Sequence, residues 1–284
     1  MKVLSGKKIA GEIETELKEK IAAMEVVPCL AVIIVGDRPD SATYVRMKTR
    51  MCEKLGMRGI KIEMPVDVTQ QEIEEQVELL NADETVHGIL IQLPLPKHIN
   101  ERQVLSRVAL EKDVDGFHSM NMGNLALNDN PLFVPCTPAG CVEILDREGI
   151  EIEGKHVVVL GRSRIVGLPL ALMMLHRNAT VTICHSRTQD IKEHTRRADI
   201  LVCACGRPEM VKADWVKEGV VVIDVGINSI DDATRKRGYR LVGDADYTEL
   251  SEVAAAMTPV PGGVGPMTII MLMSHTYRAA LNHS

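Results

Sequence analysis

A chain of 284 residues is long enough for two domains or one large one. Hydrophobic residues make up 45% of it and aromatics 2%, so any core is aliphatic, built from Val, Ile, Leu, Ala and Met. The formal net charge of −6 argues against a general nucleic-acid binder, and no run of roughly 18 apolar residues offers a membrane span.

Residues 1–20, MKVLSGKKIAGEIETELKEK, carry acids, lack the apolar stretch of a secretory signal and do not look like a transit peptide. A cytoplasmic location is expected, with an organellar one left open. Ser5–Met24 reads as an amphipathic helix, because Ile9, Ile13, Leu17 and Ile21 share one face. Leu30–Val35 is a continuous apolar strand closed by Gly36-Asp37-Arg38-Pro39. A helix follows over Ser41–Leu55, with Ser41 as its expected N-cap. Arg58–Met64 is a second strand, Thr69–Leu80 a helix with Ile73, Val77 and Leu80 on one face, and Gly88–Leu93 a third strand stopped by Pro94-Leu95-Pro96. Strands that look buried on both faces and alternate with helices imply a parallel sheet.

Asn100–Pro138 is irregular and reads as a functional loop followed by a linker. Ala139–Gly149 is a helix leading into a second unit. Its strands are expected at His156–Leu160, Thr180–His185, Ile200–Cys205 and Val220–Val225, with helices between the first three, the first of them over Leu168–Leu175. A weaker strand at Arg240–Val242, a helix at Ala245–Ser251 and a last helix over Thr268–Leu281 complete the chain. The fold class is α/β: two α/β units with parallel sheets in series, the second resembling a Rossmann-like nucleotide-binding half-sheet. The seven cysteines are odd in number, form no CxxC and show no zinc spacing. They read as core thiols of a reducing compartment, Cys203 and Cys205 on one strand face, and no metal site is expected.

Gly154–Pro169, GKHVVVLGRSRIVGLP, runs from a buried strand through a glycine turn into a helix. The free N–H groups of a helix's first turn attract an anion, in a dinucleotide enzyme the pyrophosphate. Ser163 stands where the GxGxxG fingerprint has its middle glycine, so an ordinary βα turn is the other reading. The second strand of this unit ends Cys184-His185-Ser186-Arg187 without the acid that holds an NAD ribose, and Arg162 lies in the turn. A basic, hydroxyl-bearing site suits a 2′-phosphate, hence NADP; solvated arginines are the alternative.

On the Ser41 helix, Ser41, Tyr44, Lys48, Cys52 and Leu55 share one face. A lysine continuing an apolar stripe is either a snorkelling surface group or an amine whose lowered pKa makes it a proton donor and acceptor near neutrality. Tyr44-x-x-x-Lys48 also matches the pair of short-chain dehydrogenases, but there the pair follows the glycine fingerprint; here it precedes it. Gln92, between Ile91 and Leu93, lies at the C-terminal end of a strand, where ligands bind in parallel sheets. Asp115 begins an Asp-Gly turn. Pro261-Gly262-Gly263-Val264-Gly265-Pro266 reads as a rigid backbone wall for a flat ligand, or as a tight connector.

Five ordered motifs carry a resemblance: Ser41-x-x-Tyr44-Val45-x-x-Lys48, Gln92-Leu93-Pro94-Leu95-Pro96, Lys112-Asp113-Val114-Asp115-Gly116, Gly161-Arg162-Ser163-x-x-Val166-Gly167-x-Pro169 and Pro259-Val260-Pro261-Gly262-Gly263-Val264-Gly265-Pro266. Over nearly its whole length the chain resembles the bifunctional methylenetetrahydrofolate dehydrogenase/cyclohydrolase family. The resemblance implies two reactions in one cleft between the domains. Hydride passes from 5,10-methylenetetrahydrofolate to NADP, and water then opens the methenyl cation to 10-formyltetrahydrofolate. It implies Lys48 as general acid/base, Gln92 bonded to it, Tyr44 packed on the folate and Asp115 holding the pterin. Ile91, Leu93 and the backbone of Pro261, Gly262, Gly263, Val264 and Gly265 would line the substrate. Gly161, Arg162, Ser163, Ser186, Arg187 and Ile227 would contact the cofactor. The family varies at the position of Arg162, so a basic turn is compatible with NADP rather than diagnostic of it. The implied folate domain is 1–138, completed by helix 267–284, and the implied nucleotide domain is 139–266. The implied partners are one-carbon derivatives of tetrahydrofolate and a second copy in a homodimer, with no nucleic acid and no membrane. Two other readings stay open at this level: a shikimate-type NADP dehydrogenase, which also puts its substrate domain first, and a nucleotide-sensing module without catalysis.

Overall fold

The computed structural model describes residues 1–235 and 238–282, with the side chains of all but 39 and 40. Positions 236–237, inside the expected nucleotide domain, and 283–284, at the end of the expected last helix, lie outside the described residues. In chain order the elements are β1 (Lys2–Val3), α1 (Gly6–Ala22), β2 (Cys29–Val35), α2 (Pro39–Leu55), β3 (Arg58–Met64), α3 (Gln70–Ala82), β4 (Gly88–Ile91), α4 (Glu101–Leu105), a 3₁₀ turn (Leu110–Lys112), α5 (Ser119–Leu127) and α6 (Cys136–Arg147). There follow β5 (His156–Leu160), α7 (Gly167–His176), β6 (Thr180–Cys184), α8 (Ile191–Thr195), β7 (Ile200–Cys203), a 3₁₀ turn (Ala213–Trp215), β8 (Val221–Asp224), β9 (Asn228–Asp231), β10 (Tyr239–Val242), α9 (Tyr247–Leu250), β11 (Ala256–Met257) and α10 (Val264–Leu281). They group into two compact units, one of Gly11–Cys136 with Ile269–Ser284, the other of Met1–Ala10 with Thr137–Thr268.

The first unit is built on a parallel sheet of order β3-β2-β4. All seven residues of β2, CLAVIIV, are buried, as a central parallel strand requires. Period-2 alternation sends Cys29, Ala31, Ile33 and Val35 into one core cluster with Ile89 and Ile91 of β4 and Ile73, Val77 and Leu80 of α3. Each such fully buried aliphatic side chain contributes about 1.5–3 kcal/mol. Thr69 starts α3 with a capping box: Glu72 N–H donates to Thr69 Oγ1 at 3.2 Å and Thr69 N–H to Glu72 Oε2 at 2.8 Å. At α2 the expectation of a Ser41 cap fails. The helix starts at Pro39 with Arg38 at the N-cap position, because proline presets a helical φ and has no N–H to leave unpaired in the first turn. Ser41 is instead buried, 6% exposed.

The stretch 100–138 is not the open loop the sequence suggests. It holds α4, a 3₁₀ turn and α5. Asn100 caps α4 by accepting from Gln103 N–H at 3.2 Å, and the His118 ring caps α5 by accepting from Met120 N–H at 3.1 Å. Helices of five and nine residues show too little apolar period to be read, and histidine is not a common cap.

The second unit carries a six-stranded parallel sheet of order β1-β11-β8-β7-β5-β6, with β9 and β10 as an antiparallel pair beside it in the chain. The N-terminal residues, expected in the folate domain, group here because β1 pairs with β11, Lys2 opposite Ala256 and Val3 opposite Met257. Two-residue strands carry no period to read. The strands β6 and β7 stop at Cys184 and Cys203, so Cys205 lies in the loop after β7 rather than on a strand face with Cys203. Six cysteines are buried and Cys205 is partly so. Val264 and Gly265, expected in the connector, begin α10. Among the described residues no helix is long and apolar enough to cross a membrane.

Candidate active site

In the first unit α2 delivers Lys48 to the end of β4. Lys48 is 8% exposed, as its place on the buried stripe with Cys52 (1%) and Leu55 (2%) requires. Its Nζ donates to Gln92 Oε1 at 2.9 Å, and Gln92 Nε2 donates to the carbonyl of Leu93 at 2.9 Å. Gln92 lies just past β4, its backbone N–H still donating to Ile33 O at 2.8 Å. Ile91 is the last residue of β4 and buried, Leu93 is partly buried, and Tyr44 lies partly buried one turn before Lys48 on the same helix face. Burial lowers the Lys48 pKa, and the Asp115 carboxyl nearby works against that fall. Burial likewise raises Asp115, opposed by Lys48.

The loop that presents Asp115 is tied from several sides. Gly116 has φ +74°, and a Cβ there would meet Val134 C at 2.4 Å, so no other residue fits. Before it, the buried Asp113 carboxylate accepts from Phe117 N–H (3.1 Å), His118 N–H (2.8 Å) and Asn121 Nδ2 (2.8 Å). Burial pushes Asp113 up to about 7. The Val114 carbonyl accepts from the Cys136 thiol at 3.3 Å and from His275 Nδ1 at 2.9 Å. Asp113, Asn121, Cys136 and His275 were not among the expected site residues. Only Asp113, inside the Lys112–Gly116 motif, had a local signal; His275 reaches Val114 across 161 positions.

In the second unit the Gly154–Pro169 stretch forms β5, a turn and α7. A Cβ at Gly161 (φ +123°) would lie 2.1 Å from Ala204 O, and one at Gly167 would lie 2.3 Å from Gly161 O. Both glycines are therefore close-approach positions, as in a dinucleotide turn. One expectation is corrected. Ser163 Oγ accepts from Val166 N–H at 3.1 Å and Gly167 N–H at 3.3 Å, and Leu168 N–H donates to Ser163 O at 3.0 Å. The serine that replaces the middle glycine thus bonds the N–H groups at the start of α7, and these donors are not free for an anion.

The chain passes from β5 to β6 on one side and returns to β7 on the other, a topological switch point. There, at the C-terminal ends of these strands, a pocket of about 340 Å³ is lined by Gly161, Arg162, Ser163, His185, Ser186, Cys205 and Arg207 among others. Among the described residues that line it there is no Asp or Glu, which fits a ligand with a 2′-phosphate better than a bare ribose. Of the expected cofactor residues, Gly161, Arg162, Ser163 and Ser186 line this pocket and Arg187 and Ile227 do not. Ile227 is 47% exposed, its Cδ1 3.7 Å from where a Cβ on Gly265 would be. His185 and Arg207 line the pocket as well, beyond the residues the sequence suggests. The Pro261–Gly265 block belongs to this unit, while Lys48, Gln92 and Asp115 belong to the other. Its Gly262 carbonyl accepts from Lys7 N–H at 2.9 Å, and a Cβ at Gly6 would lie 1.9 Å from Gly263 O. Among the described residues no group of three or more His, Cys, Asp or Glu could hold a metal ion.

Residues 4–115 match the family model for the tetrahydrofolate dehydrogenase/cyclohydrolase catalytic domain, and residues 135–284 the model for its NAD(P)-binding domain. The chain is 52% identical over 283 residues to the bifunctional protein FolD 4, chloroplastic, of Arabidopsis thaliana, covering 98% of this chain and 79% of the relative. Its structure is similar to that of the bifunctional methylenetetrahydrofolate dehydrogenase/cyclohydrolase FolD from Campylobacter jejuni, with a TM-score of 0.96, 44% identity and all of both chains covered. It is also similar to the Trypanosoma brucei enzyme solved with NADP cofactor and an inhibitor, with a TM-score of 0.95, 43% identity, and 99% of this chain and 97% of that one covered.

Proposed function

The chain belongs to the tetrahydrofolate dehydrogenase/cyclohydrolase family, and from that premise we propose that it oxidises 5,10-methylenetetrahydrofolate with NADP and hydrolyses the 5,10-methenyl product to 10-formyltetrahydrofolate, a step of one-carbon metabolism. The observation that carries the hydrolytic half is the buried Lys48 Nζ held 2.9 Å from Gln92 Oε1 beside Asp115.

Burial lowers the Lys48 pKa and so favours the neutral amine. That form can take a proton from water attacking the methenyl carbon, and it repels the cationic substrate less than an ammonium would. As the carbon–N5 bond breaks, Lys48 returns the proton to N5, the adduct hydroxyl loses its own proton to solvent, and the carbon stays on N10 as a formyl group. Gln92 suits this cycle. Its amide oxygen accepts from either form of the amine and adds no charge of its own, and its NH₂ is held by Leu93 O. A carboxylate there would lock the ammonium. Asp115 accepts the N–H donors of the pterin and keeps the Lys48 pKa from falling further. Tyr44 packs on the folate, with Ile91 and Leu93 beside it.

NADP, when bound, supplies the hydride acceptor. Gly161 and Gly167 let the backbone of the turn pack closely enough to form the bend proposed to take its pyrophosphate, while Arg162 and Ser186 suit the 2′-phosphate. Ser163, Arg187 and Ile227 are proposed as further contacts. The test is a coupled assay with methylenetetrahydrofolate and NADP, read by the methenyl chromophore. Appearance of the chromophore, then its loss, is expected; no chromophore and no loss of added methenyltetrahydrofolate overturns the proposal.

The reading extends to a cytoplasmic homodimer. β6 ends the six-stranded sheet, and the exposed Leu168 (38%), Leu175 (52%) and Ile183 (38%) lie on it and on α7, which packs against it. A second copy would cover that apolar edge. Sedimentation equilibrium of the wild-type protein should give twice the 31.3 kDa chain mass; a monomer at micromolar concentration refutes it.

A further inference from the structure

A buried carboxylate pair stands behind the nucleotide pocket. Asp244, in the turn after β10, is 0% exposed. Its Oδ2 accepts from the backbone N–H groups of Cys205 at 2.7 Å and Gly206 at 2.9 Å. Its Oδ1 accepts from Arg207 N–H and from the Asn228 side-chain amide, each at 2.9 Å. Asp244 is itself anchored. The Asp224 carboxylate, at the end of β8, accepts from Gly226 N–H (3.0 Å), Asp244 N–H (3.0 Å) and Ala245 N–H (2.9 Å). The fit leaves no spare room: a Cβ on Gly243 would lie 1.8 Å from Asp224 Oδ2, and one on Gly226 2.4 Å from Asp244 Oδ1.

Burying a carboxylate is costly unless its lone pairs are filled, and here both acids are filled, Asp244 by the loop after β7 and by Asn228, Asp224 by Gly226 after β8 and by the N–H groups of Asp244 and Ala245 after β10. Three successive N–H groups curled around one point make an anion nest. In this fold the nest after β7 is closed by the protein's own carboxylate. The N–H groups of 205–207 therefore turn inward, and the side chains of Cys205 and Arg207 are left to line the pocket. The fourth donor, Asn228, ties the turn that carries Ile227 to the same carboxylate.

We propose that Asp244 is a positioning residue for the dinucleotide: by holding the Cys205–Arg207 loop and the Gly226–Asn228 turn on one buried carboxylate, it sets the pocket wall that carries Arg207. This rests on the reading of that pocket as the NADP site. The two activities supply an internal control, because hydrolysis of added methenyltetrahydrofolate needs no nucleotide. Asp244→Asn keeps the volume but turns an NH₂ toward donors. It should raise the NADP Kd, measured by titration calorimetry, and the NADP KM by about tenfold. Cyclohydrolase kcat/KM without nucleotide should stay within about twofold. Asn228→Ala, which removes one bond and leaves the acid in place, should raise the same Kd by about threefold. An unchanged NADP Kd in Asn228→Ala overturns the proposal, and decides the matter alone if Asp244→Asn does not fold. Equal losses of both activities in Asp244→Asn also overturn it, since they mark a general structural role. A wild-type protein that neither binds NADP nor reduces it with methylenetetrahydrofolate would instead remove the reading of the pocket itself.

Discussion

Lys48 shows how much a single position depends on its surroundings. On an exposed helix face it would be an ammonium at any physiological pH. Here α2 turns it into the interior, burial lowers its pKa, and a neutral amide is its direct partner. Lys48→Met removes the acid/base and keeps the stem, so cyclohydrolase kcat should fall by about 100-fold or more while folate binding survives; a rate near wild type would exclude Lys48 from proton transfer. Gln92→Glu tests the environment instead. A carboxylate in place of the amide oxygen 2.9 Å from Nζ favours the ammonium. The pH–rate profile of hydrolysis should then move to higher pH by about one unit or more, with activity at pH 7 reduced and recovered on raising the pH. An unmoved profile would mean that Gln92 does not tune the amine.

Among the elements, the strands and the long helices follow from periodicity, and the short elements from contacts. Ile73, Val77 and Leu80 mark the inner face of α3 in the sequence, and all three are buried against β2 and β4. The end of the same helix is held by a residue no local rule would nominate. Lys112, 5% exposed, donates from Nζ to the carbonyls of Leu80 (3.0 Å), Asn81 (2.8 Å) and Asp83 (2.8 Å). These are C-terminal carbonyls left without intrahelical partners, on the negative end of the helix dipole. Lys112→Met should cost about 2 kcal/mol, read as a lower urea midpoint; an unchanged midpoint would show that water satisfies those carbonyls equally well. The sequence suggests a loop over 100–138 for the same reason that it carries no sign of this contact. A side chain that caps a helix some thirty positions away leaves no periodic trace.

For the whole molecule, buried titratable groups set how stability varies with pH. Burial in α10 pushes His275 down to about 4, helped by Arg278 and opposed by its bond to Val114 O. The folded state therefore binds fewer protons than the unfolded one between pH 4 and 6.5. The His275 contribution is complete above pH 6.5 and is lost as pH falls toward 4, amounting to about 2 kcal/mol by pH 5. Asp113 and Asp224, both raised to about 7 by burial, act in the opposite sense. Their contribution is complete below about pH 4 and is lost as pH rises through 7. The His275 effect is isolated by comparing wild type with His275→Gln in urea unfolding at pH 7 and pH 5. The variant should lose about 2 kcal/mol less on acidification, and parallel losses would refute the assignment.

By itself the sequence determined the α/β alternation, the aliphatic core, the glycine turn after β5, the lysine on a buried stripe and, through five ordered motifs, the family. These features are written in spacings of two to four residues or in short contiguous runs, which local backbone geometry converts directly into faces and turns. Only the tertiary structure decided that Ser163 bonds the N–H groups at the start of α7, that Asp113 ties the loop before Asp115, that β1 pairs with β11, and that Asp244 gathers the loops of the nucleotide pocket. The last two join distant segments. Their partners are chosen by loop closure and by the need to fill every buried donor and acceptor, a condition that exists only once the chain has packed.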